Sequence, residues 1–384
     1  MRRRPLVLAP AAATLALACG SVRAAPRPGP DLVVGQVAAL SGPSAPRQLA
    51  FNAGARLVID DFNARGGAQG RPLRWISLDH LGRADLAQAA GEQLLIEQRA
   101  SLLFGCSGST ATLTLLPLQR EKGVAALAGR EVDDAVRLET TRWSYFVTAG
   151  QTHQAQALAQ HLAELGLRRV AVVHEAGAPR PAGRVLGGGA WLRLLHDACV
   201  SRQLDWLGSA AVTADPGTAR EAMHKLTALS PQALLLALPG RQVLALLAEL
   251  NRLAKAPPCY ALPEAEEDGS LLQAAAQTRL LTLAQVLPSP WSTTQAALIE
   301  FRRQASAAGV GLSYPTLEGW MAGQLLVQAL QRCGRDTSAA RLHAVLDSLQ
   351  VHLGGMTVDF SRRELSGSRL VEWVHPSLDG RWLS

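Results

Sequence analysis

Several things that would each point to a function are missing from this 384-residue sequence. Its five cysteines form no C-x-x-C pair, which excludes zinc-ribbon and dithiol redox motifs. No histidines stand at a metal-ligand spacing such as H-E-x-x-H. Gly187-Gly188-Gly189 is not followed by Gly-Lys-Ser/Thr, so it is not a phosphate-binding P-loop. No Lys/Arg run is interleaved with aromatics, and a nucleic-acid partner is therefore not expected. No repeat of 20–50 residues is visible, which excludes a solenoid. Beyond the N-terminus no apolar stretch reaches the ~20 residues needed to span a bilayer. What remains is 48% apolar and 18% charged, the composition of a folded chain rather than a disordered one. Its length is more than one hydrophobic core needs and suits two.

The N-terminus reads as an export signal. Arg2-Arg3-Arg4 forms a positive start, and Leu6 to Ala18 is an apolar stretch too short to cross a membrane. Val22-Arg23-Ala24 then offers small residues at the two positions that signal peptidase inspects, so residues 1–24 are expected to be removed. The rival reading makes Cys19 a lipid-modified first residue, although Ala16-Leu17-Ala18 fits a lipoprotein box poorly. Much of the formal charge of +7 resides in this segment. Without Arg2, Arg3, Arg4 and Arg23 the count of Lys and Arg falls from 38 to 34 against 31 acids, a net charge of about +3. Cys106, Cys199, Cys259 and Cys333 remain, and small buried residues are expected in preference to disulfides, although export permits the latter.

After a Pro/Gly-rich leader, Pro26 to Pro30, short apolar runs alternate with amphipathic helical patterns. Leu32 to Ala39, Leu73 to Leu78, Ser101 to Phe104 and Val124 to Ala128 read as strands. Phe51, Ala55, Val58, Ile59 and Phe62 recur at helical spacing, and further helices are expected at 84–97 and 109–121. The pattern restarts after Tyr145. A helix carrying Ala155, Leu158, Leu162 and Leu165 ends at Gly166, and Val170 to Val173 and Ala233 to Leu238 are strands. Asp215-Pro216 caps another helix, and Val243, Leu246, Leu247, Leu250 and Leu253 line the next. Leu280 to Val286 and Met356 to Phe360 look like strands that return to complete the two halves. Such alternation predicts two successive α/β halves built on parallel sheets.

The segment Asp31 to Pro43 (DLVVGQVAALSGP) is similar to the opening strand and loop of the leucine/isoleucine/valine-binding protein family. Asp60 to Gly67 with Gly70-Arg71, the loop Gly105 to Ala111 and the stretch Leu317 to Ala322 with Leu330 to Gly334 also resemble that family. So does Val358 to Ser361, and together the matches run in order over nearly all of the chain. The resemblance implies a type I periplasmic-binding-protein fold, two parallel-sheet α/β lobes joined by three hinge crossings. The crossings are expected near Val147, Leu283 and Leu353, with residues 31–147 plus 284–353 in one lobe and 148–283 plus 354–384 in the other. It also implies a periplasmic receptor that passes a small solute to the membrane permease of an ABC transporter. A monomer with no cofactor, no metal and no catalytic residue is expected. A sensing module of the same fold, reporting to a regulator, is the alternative.

Open parallel sheets bind ligands beyond the carboxyl ends of their strands, where helix N-termini present free N–H groups. Gly105 to Thr110 follows a strand and opens a helix, so Ser107, Ser109 and Thr110 are candidate contacts for an anion. By resemblance Ser109 holds a ligand's α-carboxylate and Glu264, after Pro263, receives its α-ammonium. The bland readings are a helix cap for Ser109 and a solvated loop acid for Glu264, beside Glu266, Glu267 and Asp268. The sequence departs from the family at Arg47, where a tyrosine is expected, and at Arg130-Glu131-Val132, where relatives have Ala-Ala-Thr. Neither Thr152 nor Gly240 is aromatic, although both fall near aromatic positions of the second lobe. If Arg47 and Arg130 face the ligand, they favour a solute more acidic than leucine, because guanidinium pairs bidentately with carboxylate. Gly105 to Ser109 also resembles a G-x-S-x-G nucleophile elbow, but its last position is serine and no Asp/His arrangement accompanies it.

Overall fold

The computed structural model describes residues 31–176, 188–266, 270–278, 280–377 and 380–383. The export signal with Cys19 and Ala24, the leader, and Gly187, Glu267 and Asp268 lie outside the described residues.

In chain order the first part runs β1 (Leu32–Ala38), α1 (Ala45–Ala64), β2 (Leu73–Asp79), α2 (Ala84–Glu92), β3 (Leu102–Phe104), α3 (Ser109–Lys122), β4 (Ala126–Leu127), α4 (Asp134–Thr140) and β5 (Ser144–Tyr145). The second runs α5 (Gln151–Glu164), β6 (Arg169–Glu175), α6 (Gly188–Ser201), β7 (Asp205–Val212), α7 (Pro216–Thr227), β8 (Ala233–Ala237), α8 (Gly240–Leu250), β9 (Cys259–Ala261), α9 (Ser270–Thr278) and β10 (Leu281–Gln285). The last runs α10 (Ala296–Ala307), α11 (Tyr314–Cys333), α12 (Ala339–Leu346), β11 (Gln350–Leu353), β12 (Met356–Asp359), β13 (Glu372–Pro376) and β14 (Trp382–Leu383).

These elements form two open sheets wound alike. The first has the order β2-β1-β3-β4-β5, parallel throughout. The second repeats that winding as β7-β6-β8-β9-β10, again parallel, and adds β13 and β14 antiparallel at its far edge. The all-apolar run Ala233–Ala237 is buried along its whole length, as a central parallel strand covered on both faces must be. Local signals hold too. Asp215 caps α7 by accepting from the Gly217 N–H, and Gly166, just past α5, takes the left-handed φ of +74°.

Helix α1 buries Phe51, Ala55, Val58, Ile59 and Phe62 and packs against α11. The two helices nearly touch backbone to backbone: a Cβ on Gly54 would lie 1.8 Å from the Thr316 carbonyl oxygen, and one on Gly319 would lie 1.9 Å from that of Phe51. Residues after β10 therefore return to the first sheet. Strand β10 itself pairs with β9 and β13, so Leu283 sits inside the second sheet.

One strand expectation needs correction. Met356 to Phe360 completes neither sheet: β12 pairs with β11 in a separate antiparallel hairpin that ends at Asp359. Its side chains alternate between buried and outward positions, the pattern of a ribbon with one wet face. The strands that finish the second sheet are β13 and β14, which carry no long apolar run. Between hairpin and β13, Gly367 and Ser368 donate their N–H groups to the carbonyls of Phe146 (2.7 Å) and Val147 (3.0 Å). The first and last passages between the sheets thus lie side by side. Among the described residues no helix is long and apolar enough to cross a membrane.

Candidate functional site

In each half the winding reverses between the first and third strands, which opens a crevice beyond their carboxyl ends. The two crevices share one cavity of 410 Å³. Residues after β1, β3 and β4 line it from the first sheet, and residues after β6, β8 and β9 line it from the second. All six residues singled out in the sequence, Arg47, Ser107, Ser109, Thr110, Arg130 and Glu264, line this cavity.

The loop after β3 turns into α3 through Gly108, whose φ of +91° is costly for any residue with a Cβ. The first turn of α3 then lines the cavity; Thr112 N–H bonds the Gly108 carbonyl (3.0 Å), while the N–H groups of Ser109, Thr110 and Ala111 have no intrahelical acceptor, a geometry that suits an anion. The side chains beside it are engaged within the protein. Ser109 Oγ donates to Asp133 Oδ2 (2.7 Å) and accepts from the Asp133 N–H (2.9 Å). Its single proton is therefore spent, and contact with an anion there falls to the backbone N–H groups and the exposed Thr110. Ser107 Oγ accepts from the Ala39 N–H (3.0 Å) and is buried. The nearby imidazole of His80 accepts from Gly82 at Nδ1 and so donates from Nε2 to the Ser107 carbonyl, not to its hydroxyl. Among the described residues no base reaches Ser107 Oγ. The adjacent Cys106 thiol is no better a nucleophile, because burial pushes its pKa up to about 11.

Arg130 is 3% exposed. Its guanidinium carbon lies 4.8 Å from the centre of the Phe51 ring, Nη1 donates to Gln48 Oε1 (2.9 Å), and Nη2 lies 3.1 Å from Glu318 Oε2. Arg47, in the first turn of α1, faces the same Glu318 oxygen at 3.9 Å and donates to the Pro263 carbonyl (3.2 Å). That last bond runs from the first sheet's helix to the loop after β9 of the second. The two arginines on which an acidic ligand was expected are thus partly neutralised by Glu318. Sequence reading missed Glu318 as a site residue. Its one trace was an acid in the first turns of a helix whose neighbours Leu317, Gly319, Trp320, Met321 and Ala322 are all buried.

Glu264 lies in a single 3-10 turn, Pro263–Ala265. Some of the residue remains accessible, but Oε2 is buried and accepts no hydrogen bond from the described residues. Burial pushes its pKa up; Arg47 pulls it back, and Glu131 pushes it further up.

Three more features were not legible in the sequence. Asp134 accepts the N–H groups of Gln151 (2.9 Å) and Thr152 (2.7 Å), so the N-terminus of α5 already holds an internal carboxylate. Gln151 Nε2 donates to Asp133 Oδ1 (2.9 Å), linking α5 through Asp133 to Ser109. Arg137 stacks on Phe146 and donates to the carbonyls of Val132 and Thr148. The aromatic residue that lines the second half of the cavity is Trp191 of α6, not Thr152 or Gly240.

Two similarly wound α/β lobes with strand ends facing a shared, solute-sized cavity define a type I periplasmic binding fold. The family model described as periplasmic binding protein matches residues 31–369, and the chain belongs to that family. It is a family of solute-binding proteins, not of enzymes. No curated protein matches the chain at a significant level of sequence similarity. Among solved structures, an extracellular ligand-binding receptor from Verminephrobacter eiseniae is similar with a TM-score of 0.80 at 21% identity, over 92% of this chain and all of the other. A branched-chain amino acid ABC transporter protein from Thermus thermophilus, with bound valine, has a TM-score of 0.78 at 14% identity, over 92% and 94% of the two chains. A solute-binding protein of an ABC transporter from R. palustris, in complex with 4-hydroxybenzoate, has a TM-score of 0.77 at 12% identity, over 92% and 95%.

Proposed function

We propose that this protein captures an amino acid or related carboxylate between its two lobes in the periplasm and delivers it, as a monomer, to an ABC-type permease. The observation that carries this reading is a 410 Å³ cavity lined from both sheets, a volume suited to a small solute. A carboxylate sits at the first turn of α3, on the N–H groups around Ser109 and Thr110 with Ser107 behind them. An ammonium goes to Glu264. Arg47 and Arg130 hold the walls, with Arg47 spanning the lobes through Pro263. Valine and 4-hydroxybenzoate, held by two of the similar structures, share a carboxylate, which supports a carboxylate-bearing solute.

The hinges of this reading are residues 146–149, 286–290 and 368–371. Two of them differ from the Leu283 and Leu353 expected from the sequence, because β10 and the β11–β12 hairpin each pair as intact units. Residues 1–24 act as the export signal, and intact mass of protein from its native host is expected to show a start near Ala25. The functional test is small-angle scattering and calorimetry on that chain with a panel of amino acids. A bound solute is expected to lower the radius of gyration, and at a hundredfold excess over Kd to add about 2.7 kcal/mol of stability. A solute that binds without any compaction refutes capture by lobe closure.

A further inference from the structure

Nine charged side chains of the described residues, excluding His80, line the cavity: four arginines and five carboxylates. Each arginine lies near an acid of the protein, although Arg130 Nε and Nη2 are buried without a hydrogen-bond partner among the described residues. Arg47 and Arg130 face Glu318, Arg137 binds two carbonyls and lies 3.8 Å from Asp134, and Arg83 pairs with Asp85 outside the cavity. Of the carboxylates, Asp133 is held by Ser109 and Gln151, and Glu318 by the arginines. Three keep spare capacity. Glu264 has a buried oxygen with no donor among the described residues. Among the described residues Glu175 meets one side-chain donor, Gln242 Nε2, at a long 3.4 Å. Glu131 accepts no side-chain hydrogen bond from the described residues, and its backbone takes an uncommon φ of +54° to stand at the cavity.

From this balance we infer that the cleft selects for positive charge: its preferred solute is a basic α-amino acid, with Glu131 and Glu175 as specificity-determining residues for the second cation. The inference rests on the capture proposed above. Glu131 follows β4 of the first sheet, whereas Glu175 ends β6 and Glu264 follows β9 of the second. Closing the lobes brings like charges together in a space that is losing water, which is unfavourable unless a cation enters with them. A solute with two cationic groups answers both lobes at once. An acidic solute adds to the repulsion, because the guanidiniums that would receive it already face the protein's own acids. Burial is the main cause of the raised pKa of Glu264, and Glu131 adds a smaller push in the same direction.

The test is calorimetry of the chain from residue 25 with L-lysine, L-leucine and L-glutamate, alongside scattering. L-lysine is expected to bind about tenfold or more tighter than L-leucine, with L-glutamate weakest and the lysine advantage shrinking as salt is raised. In the Glu131→Gln/Glu175→Gln double variant the lysine-to-leucine ratio should collapse toward one. Both side chains are at least partly exposed, and a thermal melt verifies that the variant is folded. Leucine or glutamate binding as tightly as lysine, with compaction, overturns the charge preference and leaves capture standing. A lysine preference that survives in the folded double variant also overturns it. Absence of binding and compaction with all three overturns both readings.

Discussion

The carboxylate of Asp134, on α4 of the first sheet, accepts the N–H groups of Gln151 and Thr152, which open α5 of the second half. A helix N-terminus attracts an anion, and here a side chain of the protein supplies it beside the first passage between sheets. The bond network continues through Gln151 and Asp133 to Ser109 at the cavity. The loop after β3 and the start of the second half are therefore mechanically joined.

Removing that carboxylate strands two N–H groups and takes from Arg137 the acid it pairs with at 3.8 Å. Asp134→Ala should lower stability by about 3 kcal/mol. Asp134→Asn, which keeps one acceptor, should cost clearly less. Urea unfolding followed by circular dichroism measures both.

Arg130 and Glu318 form a largely buried pair at 3.1 Å. Arg130→Met leaves Glu318 facing only Arg47, and a loss of roughly 3–5 kcal/mol is expected. Adding Glu318→Gln should recover much of it, because the stranded charge is gone. A double-mutant cycle yields the coupling; additive losses would mean that the pair contributes nothing.

The contact between α1 and α11 leaves no room for a side chain at Gly319. Gly319→Ala is expected to cost about 2 kcal/mol or more, since the obstacle is the Phe51 carbonyl. At Gly323 an added Cβ meets Val58 Cβ at 3.0 Å and the Ala55 carbonyl oxygen at 3.3 Å, a tight contact but far looser than that at Gly319. Gly323→Ala should therefore be milder, and thermal melts of the two variants will rank them.

Binding of an ammonium by Glu264 needs the ionised carboxylate. Its folded pKa is raised by burial, so affinity for an amine-bearing solute should climb as pH rises through that raised value and flatten above it. The unligated fold behaves oppositely. The stability gained from a neutral Glu264 is full below the ordinary glutamate pKa of ~4.3 and is lost as pH rises through the folded value. Glu264→Gln should abolish both slopes. Calorimetry and melts across pH 4–8 test them.

Cys106, Cys199, Cys259 and Cys333 are free and buried. Burial pushes the first up to about 11 and the next two to about 12, and raises Cys333 as well. In the chain from residue 25, a thiol reagent at neutral pH should find almost none of the four in the native state and all four after unfolding.

Periodicity carried the alternation of strands and helices, down to the Asp215 cap and the Gly166 terminus, because those signals are local. Ordered resemblance from Asp31 to Ser361 carried the family, and the loop Gly105 to Thr110 stood out because a strand running into a helix N-terminus presents free N–H groups in such sheets. Strands without an apolar run were not legible. Edge strand β7 is mostly half-buried, and β13 and β14 find partners from across the chain. The role of Met356 to Phe360 went wrong for the same reason: a β pattern does not name its partner.

By itself, then, the sequence determined two α/β halves, the family and the loops that meet at the cleft, since each follows from short-range pattern and chain order. Only the tertiary structure decided the charge of that cleft. Arg47 and Arg130 read as free cations until folding brought Glu318 against them, and nothing local in the sequence showed that the Ser109 hydroxyl donates to Asp133. Electrostatic pairing falls off with distance in space and is indifferent to distance along the chain, so no local pattern could have shown it.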